Sequence, residues 1–434
     1  MIDNLFPRAC MASRHHAAGI ARPLAMVALT LAIQGCGGGG DGGGDVIPAF
    51  VSPANVVISD VNQDGELDLV VSAATVHSAP PHPGFVVVLT QKPLSPGTFT
   101  ASVRFGAEFD PSGLALGALS GNGGKDIVLG SQNTKAGTLL PNNFVILRHD
   151  PSRLGSFLSP QLVPIGTHVI NDVAVGDVNG DGRPDIVVTA SPASAGPTVL
   201  VFTQSAMQPG TFVLSQSIMT ATGSGAVALA DLNGDGRLDI AVTASVDNGP
   251  GKVLVFMQDA VTPGTFLPAT EYVVGLQPTA IAIGDLNGDG KPDLAVANQG
   301  AGNGSSPSMS VLLQDTASPG RFLNAVSYPS ARAPMAIAIS DIDGDGKLDI
   351  VTANASGAPP FNGSVQIYFQ GQIRGAFGNP VRIGNFQGAH TMAVGDLNGD
   401  KAPDIVVDDG EGIAILFQNA QQRGQFLPAV HLAL

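Results

Sequence analysis

The chain has 434 residues, with 20 Lys and Arg against 35 Asp and Glu and a formal charge of −15, which argues against a nucleic-acid partner, since that needs a basic stripe. Hydrophobic residues make up 44% and charged residues 13%, and 56 Gly and 32 Pro occur without a single Trp. This is the profile of an all-β protein with many turns and little helix. Most of the Asp and Glu fall in repeated loops, which points to cation binding rather than a solvated acidic surface.

At the N-terminus Arg14 and Arg22 precede an apolar run from Leu24 to Ile33. The run is too short to cross a bilayer as a helix and suits a signal-peptide core. Met11 offers an alternative start. The run ends in Ile33-Gln34-Gly35-Cys36, which resembles the lipobox of bacterial lipoproteins. That resemblance implies that 1–35 is a signal peptide, cut before Cys36, and that Cys36 is acylated. The mature protein would then be exported and lipid-anchored to the bacterial outer membrane, on its periplasmic or its outer side. The alternative is an ordinary secreted protein cut nearby. Cys36 opens a tether over 36–52 that is glycine from Gly37 to Gly44 except at Asp41, and such a stretch is flexible. It contains G-x-G-x-x-G, but no strand precedes it and no helix follows, so a nucleotide reading fails. Cys10 and Cys36 are the two cysteines, so the body has no disulfide framework.

From residue 53 to 434 the chain repeats. An acidic loop starts at Asp60, Ala118, Asp177, Asp231, Asp285, Asp341 and Asp396, at intervals of 54 to 59 residues. A second signature, Gly-x-Phe after a hairpin, places Phe99, Phe157, Phe212, Phe266, Phe322, Phe377 and Phe426 at one position of each unit. Each unit reads as four strands; in the fifth these are A over 280–284, B over 293–298, C over 310–314 and D over about 322–328. Four antiparallel strands repeated seven times predict a seven-bladed β-propeller of four-stranded antiparallel blades. Small residues such as Ala282 and Gly284 suit strand A to the crowded axis, and the seven Phe are expected to pack between blades. Val46–Val51 or Ala429–Leu434 could supply the outer strand that closes the ring. The A–B loops and C–D hairpins share one face. The B–C and D–A loops share the other, where variation from unit to unit suits ligand specificity.

The loop Asp285-Leu286-Asn287-Gly288-Asp289-Gly290-Lys291-Pro292-Asp293 puts oxygen-bearing side chains at positions one, three, five and nine and glycine at six. Hard cations such as Ca²⁺ take six to eight oxygens. The absence of Cys and His in the loop excludes soft metals. An EF-hand is excluded because position twelve, where a bidentate Glu is required, holds Val71, Val188, Val242, Val296, Thr352 or Val407. In the first loop position seven is Glu66, a further carboxylate counted with the set.

These loops resemble the FG-GAP/VCBS type of repeat, known in bacterial surface proteins and in the propeller of integrin α subunits. Asp177-Val178-Asn179-Gly180-Asp181-Gly182-Arg183-Pro184-Asp185 carries the likeness most clearly. The resemblance implies Ca²⁺ at Asp60, Asn62, Asp64 and Asp68; at Asp177, Asn179, Asp181 and Asp185; and at Asp231, Asn233, Asp235 and Asp239. It implies the same at Asp285, Asn287, Asp289 and Asp293, and at Asp341, Asp343, Asp345 and Asp349. The seventh loop has Asp396, Asn398, Asp400 and Asp404 but Lys401 at the glycine position, so a weaker site is expected. The second, Ala118 to Asp126, has lost two carboxylates and is expected to hold no metal. That makes five to six structural Ca²⁺ sites.

Two functions fit. One is a non-enzymatic binding or adhesion module with an unknown protein or glycan ligand on the face opposite the calcium loops. The other is a carbohydrate-binding lectin or polysaccharide-active propeller, as the resemblance allows. With no Trp and only Tyr272, Tyr328 and Tyr368, aromatic platforms for sugars are scarce. No room remains for a separate catalytic domain. His77, His82, His168 and His390 fall on the variable face, without an acid or nucleophile that repeats with them.

Overall fold

In the computed structural model the described residues are 51–434 apart from 76–83, 108–109, 133–141, 167, 192–197, 221–222, 248, 301–305 and 356–362. The segment expected to be a signal peptide, Cys36, the glycine-rich stretch, His77 and His82 lie outside them. The described residues form seven four-stranded antiparallel sheets, each built from four strands consecutive in the chain. The expectation of an all-β, seven-bladed propeller holds.

Blade five illustrates how the sequence makes a blade. Strand A is Pro278–Gly284, B is Asp293–Asn298, C is Ser308–Leu312 and D is Val326–Pro329. Strands C and D therefore sit about two residues earlier and four later than the apolar pattern suggests. The reason is the hairpin between them. Gln314 and Phe322 pair as an isolated bridge beyond the sheet proper, so the Gly-x-Phe signature belongs to a long turn and not to strand D. Strands B and C are buried along their whole length, whereas D alternates or lies open. A sheet covered on both faces buries B and C throughout, and the polar side chains of Asn298 and Ser310 within it bond to each other at 3.0 Å.

The core is seven clusters, one at each seam between blades. The seam between blades five and six, for example, holds Leu286, Met309 and Val311 against Ile350, Tyr368 and Phe377. Each of the seven Phe sits in the cluster between its own blade and the preceding one, so the expected packing role holds. At the axis the strands approach closely. A Cβ on Gly117 would lie 2.4 Å from Val175 Cγ1, and one on Gly176 2.7 Å from Leu238 Cδ1, so the last residue of strand A is glycine where the next blade crowds it.

The ring closes without strand exchange. The outer strand of blade seven is Val430–Ala433, paired with Gly412–Leu416 of the same blade. Val51 instead begins the innermost strand of blade one. Blades one and seven share a cluster that joins Leu69, Val87 and Phe99 to Leu397, Val406 and Ile415. The Val56 N–H also donates to Thr391 Oγ1 across this seam at 3.1 Å.

Candidate metal centre

Each acidic loop is held by its own side chains. In the third, Asp177 Oδ1 accepts the N–H of Gly180 at 2.7 Å and of Asp181 at 3.1 Å, and its Oδ2 accepts that of Gly182 at 2.7 Å. Asn179 Oδ1 takes the Asp181 N–H and Asp181 Oδ1 takes the Arg183 N–H, both at 2.9 Å. The fifth loop repeats four of these five bonds for Asp285, Asn287 and Asp289 within 0.1 Å. The chain therefore winds around the oxygens of positions one, three and five. Two left-handed residues bend it there. Position six is at positive φ in every copy, as is position four, from Gln63 in the first loop to Gly399 in the seventh. Sequence reasoning found the glycine at six and missed the need at four, where Gln63 adopts a φ of 60°.

The carboxylates of Asp341, Asp343 and Asp345 bring one oxygen each within 4.8 Å of one another. Where position three is Asn, its amide oxygen makes the same bond to the fifth N–H, as in Asn233 and Asn398. An all-oxygen set of this kind fits a hard divalent cation and not a thiophilic one. Position seven adds charge neutralisation that the sequence analysis did not expect. Arg183 pairs with Asp181, Arg237 with Asp235 and Lys347 with Asp345. The bond from Lys347 holds the Asp345 carboxyl below its usual range. Glu66 takes this place in the first loop, so that loop has no such cation.

The ninth-position aspartate differs from the rest. Asp293 is fully buried; its Oδ2 accepts the Leu286 N–H at 2.9 Å and its Oδ1 the Gln314 N–H at 2.7 Å. The same pair of bonds recurs at Asp68, Asp185, Asp239, Asp349 and Asp404. Burial pushes these carboxyls up to about 6, and that of Asp404 to about 7, against the lowering effect of the backbone N–H bonds. Asp349 is not among the three carboxylates that converge. The ninth residue is thus first a tie between loop and strand C. Its recurrence in the sequence, always beside a buried apolar second position, was read only as a ligand pattern.

The loops also tie blade to blade. Gln314 Nε2 donates to Leu232 O of the preceding blade at 2.9 Å, as Gln258 does to Val178 O and Gln370 to Leu286 O. The hairpin glycine of every blade but the third rests on the third-position residue of the loop before it; in blade three Gly210 rests on Arg148 instead. A Cβ on Gly264 would lie 3.0 Å from Asn179 Cβ, and one on Gly97 3.6 Å from Asn398 Cβ across the closing seam. The recurring Gln five or six residues before that glycine was the missed signal.

A model of the FG-GAP-like repeat matches residues 231–296, 285–352 and 341–407, and a model of the FG-GAP repeat matches 170–201. This chain is an FG-GAP β-propeller. The three longer matches each begin at the first aspartate of one loop and end just past the next loop, so the family unit is the loop-to-loop segment that crosses a blade seam. Among solved structures, the propeller is similar to a rhamnogalacturonan lyase, YesW, at 15% identity and TM-score 0.47, covering 87% of this chain and 73% of that one. It is also similar to a protein from Lactobacillus plantarum at 15% identity and TM-score 0.52, covering 84% and 96%. These likenesses are of fold. No curated protein matches the chain.

Two copies of the FG-GAP loop depart from the rest. In the second, Ser120 N–H and His149 N–H still bind the two oxygens of Asp126, so the backbone is kept although the first carboxylate is gone. His149 replaces the recurring Gln, and its ring lies where a Cβ on Gly124 would be 2.3 Å away. In the seventh, Lys401 has a φ of 66° and donates its N–H to Asp396 Oδ2 at 2.8 Å, as the glycines do elsewhere. That loop keeps its shape and carries the strain expected of a side chain there.

On the opposite face, His168 Nδ1 lies 2.9 Å from Ile165 O, and His390 Nδ1 lies 3.2 Å from Asp408 Oδ2. The bond to Asp408 raises the His390 imidazole above its usual range. A second pair, His431 with Asp409, stands on the same blade. The sequence analysis missed both aspartates because the pairing joins strand ends 18 and 22 residues apart. Residues 76–83, 133–141, 301–305 and 356–362 of the variable B–C loops lie outside the described residues.

Proposed function

We propose that this FG-GAP propeller is a calcium-stabilised, non-enzymatic binding module at the bacterial cell envelope, lipid-anchored through Cys36. Its ligand is a protein held by the face opposite the acidic loops. The observation that carries the calcium reading is the convergence of Asp341, Asp343 and Asp345 within 4.8 Å, in a loop whose hydrogen bonds recur in four other full copies and in the seventh. Positions one, three and five would hold the ion. It would neutralise carboxylates at a blade seam, which makes it structural and gives five to six sites.

The tyrosines weigh against the carbohydrate alternative. Tyr368 is fully buried. Tyr272 and Tyr328 pack edge-on against Phe322 and Phe377, and their hydroxyls accept the N–H groups of those residues. None of the three is available as a sugar platform.

Thermal unfolding in metal-free buffer, with EDTA or with added Ca²⁺, tests the metal. At ten times Kd each site adds roughly 1.4 kcal/mol, so five sites should raise the midpoint visibly. An unchanged midpoint removes the calcium reading. A pull-down from envelope extract beside a glycan array tests the ligand class, and glycan-specific binding would favour the alternative.

A further inference from the structure

The C–D hairpins share a face with the acidic loops, and their tips are apolar. The third residue after the recurring Gln is Leu94, Met207, Val261 and Ile373 in blades one, three, four and six, exposed at 96%, 94%, 87% and 76%. Blade five has the exposed Ala317 there, and blade two offers Leu154 two residues further on. Single exposed aliphatic residues are ordinary. The same residue class at the same tip of four of the seven blades is not, although blade seven has Gln421 there, because rotation about the propeller axis sets equivalent positions in one plane.

Exposed cations lie on five hairpins, Lys92 beside Leu94, Arg153 beside Leu154 and Arg374 beside Ile373, with Arg321 and Arg423 in blades five and seven; blades three and four have none, and Asp150, Asp259 and Asp315 lie on the hairpins of blades two, four and five. Aliphatic residues in one plane, edged by Lys and Arg, match the chemistry of an anionic phospholipid surface. The acidic loops inside the ring would repel that surface unless divalent cations neutralise them. A second copy set face to face would oppose one ring of acidic loops to another.

We propose that the acidic-loop face of this propeller docks flat on an anionic phospholipid bilayer, with the hairpin tips in the headgroup region. The docking rests on the calcium reading, since bound cations must neutralise the acidic loops on this face. It would turn the opposite, variable face away from the membrane, toward a ligand.

The test uses the chain from residue 37 onward, so that neither the apolar run from Leu24 to Ile33 nor a lipid at Cys36 contributes. Sedimentation with vesicles of phosphatidylethanolamine and phosphatidylglycerol is compared with phosphatidylcholine alone, in Ca²⁺ and in EDTA. A second protein carries L94S, M207S, V261S and I373S as well; these side chains are exposed, and an equal urea midpoint verifies its fold. The expected result is binding to the anionic vesicles in Ca²⁺, weakened by EDTA and reduced roughly tenfold or more by the four serines. Equal binding by both proteins overturns the proposal. Terbium luminescence on the same samples separates the two readings: metal loading without vesicle binding overturns the docking alone, and loss of both overturns the calcium reading too. A Ca²⁺-dependent dimer without vesicle binding overturns it in favour of a second copy.

Discussion

The ninth-position aspartate allows the sharpest separation of fold from metal. In Asp293→Ala, the Leu286 and Gln314 N–H groups lose their acceptor at 2.9 and 2.7 Å inside a fully buried site. Each buried donor left unpaired costs about 1–3 kcal/mol, so the pair should cost about 3–5 kcal/mol, and it should do so in EDTA as well as in Ca²⁺. Asp289→Ala is the comparison. Its Oδ1 accepts only the exposed Lys291 N–H, so in EDTA the loss should be about 0.5 kcal/mol or less. In Ca²⁺ at ten times Kd the same variant should forfeit a further ~1.4 kcal/mol. Urea unfolding of the parent and both variants, each with and without Ca²⁺, reads the four differences. If Asp293→Ala costs under about 1 kcal/mol in EDTA, or if Asp289→Ala costs as much as it does there, the division between a structural ninth position and ion-facing first, third and fifth positions is wrong.

Lys401→Gly should stabilise the propeller by about 0.5–1 kcal/mol, since it relieves a left-handed side chain at φ 66° while glycine costs some unfolded-state entropy; an unchanged or lower urea midpoint contradicts this. Asp172 on strand A of blade three accepts the N–H groups of Val173 and, across the seam, Val227, and burial pushes its carboxyl up to about 6. Because the folded value is raised, its contribution to stability is fully present below about pH 4 and is lost as pH rises through 6, by about 3 kcal/mol at most. Asp172→Asn should therefore flatten the fall in stability between those pH values relative to the parent in metal-free buffer, and parallel pH profiles would count against it. Thr391→Val removes the hydroxyl that accepts the Val56 N–H at the closing seam and should cost about 1–2 kcal/mol, measured by the same unfolding assay; no loss would mean that the seam is held by packing alone.

The family and the blade count were legible in the chain itself, because a propeller repeats one local unit and every copy must meet the same demands. Asp60, Asp177, Asp231, Asp285, Asp341 and Asp396 open loops of one pattern, and the seven Phe mark one position. Strand B was placed correctly in blade five because a strand covered on both faces leaves an unbroken apolar run. Strands C and D were misplaced there because the long hairpin carries its own apolar anchor, Phe322, outside the ladder.

What only the tertiary structure decided is which contacts cross between units. A repeat pattern reports what each unit requires and not which neighbour supplies it. The Gln314 side chain reaches the preceding blade, Gly264 rests on Asn179, and Thr391 meets Val56 from the far end of the chain. The outer strand of blade seven comes from its own C-terminal residues, a choice that two apolar segments had left open. The acidic loop, which reads in sequence as a turn within one blade, proves to lie at a seam between two, because its second residue is buried there and its third lies under the next hairpin.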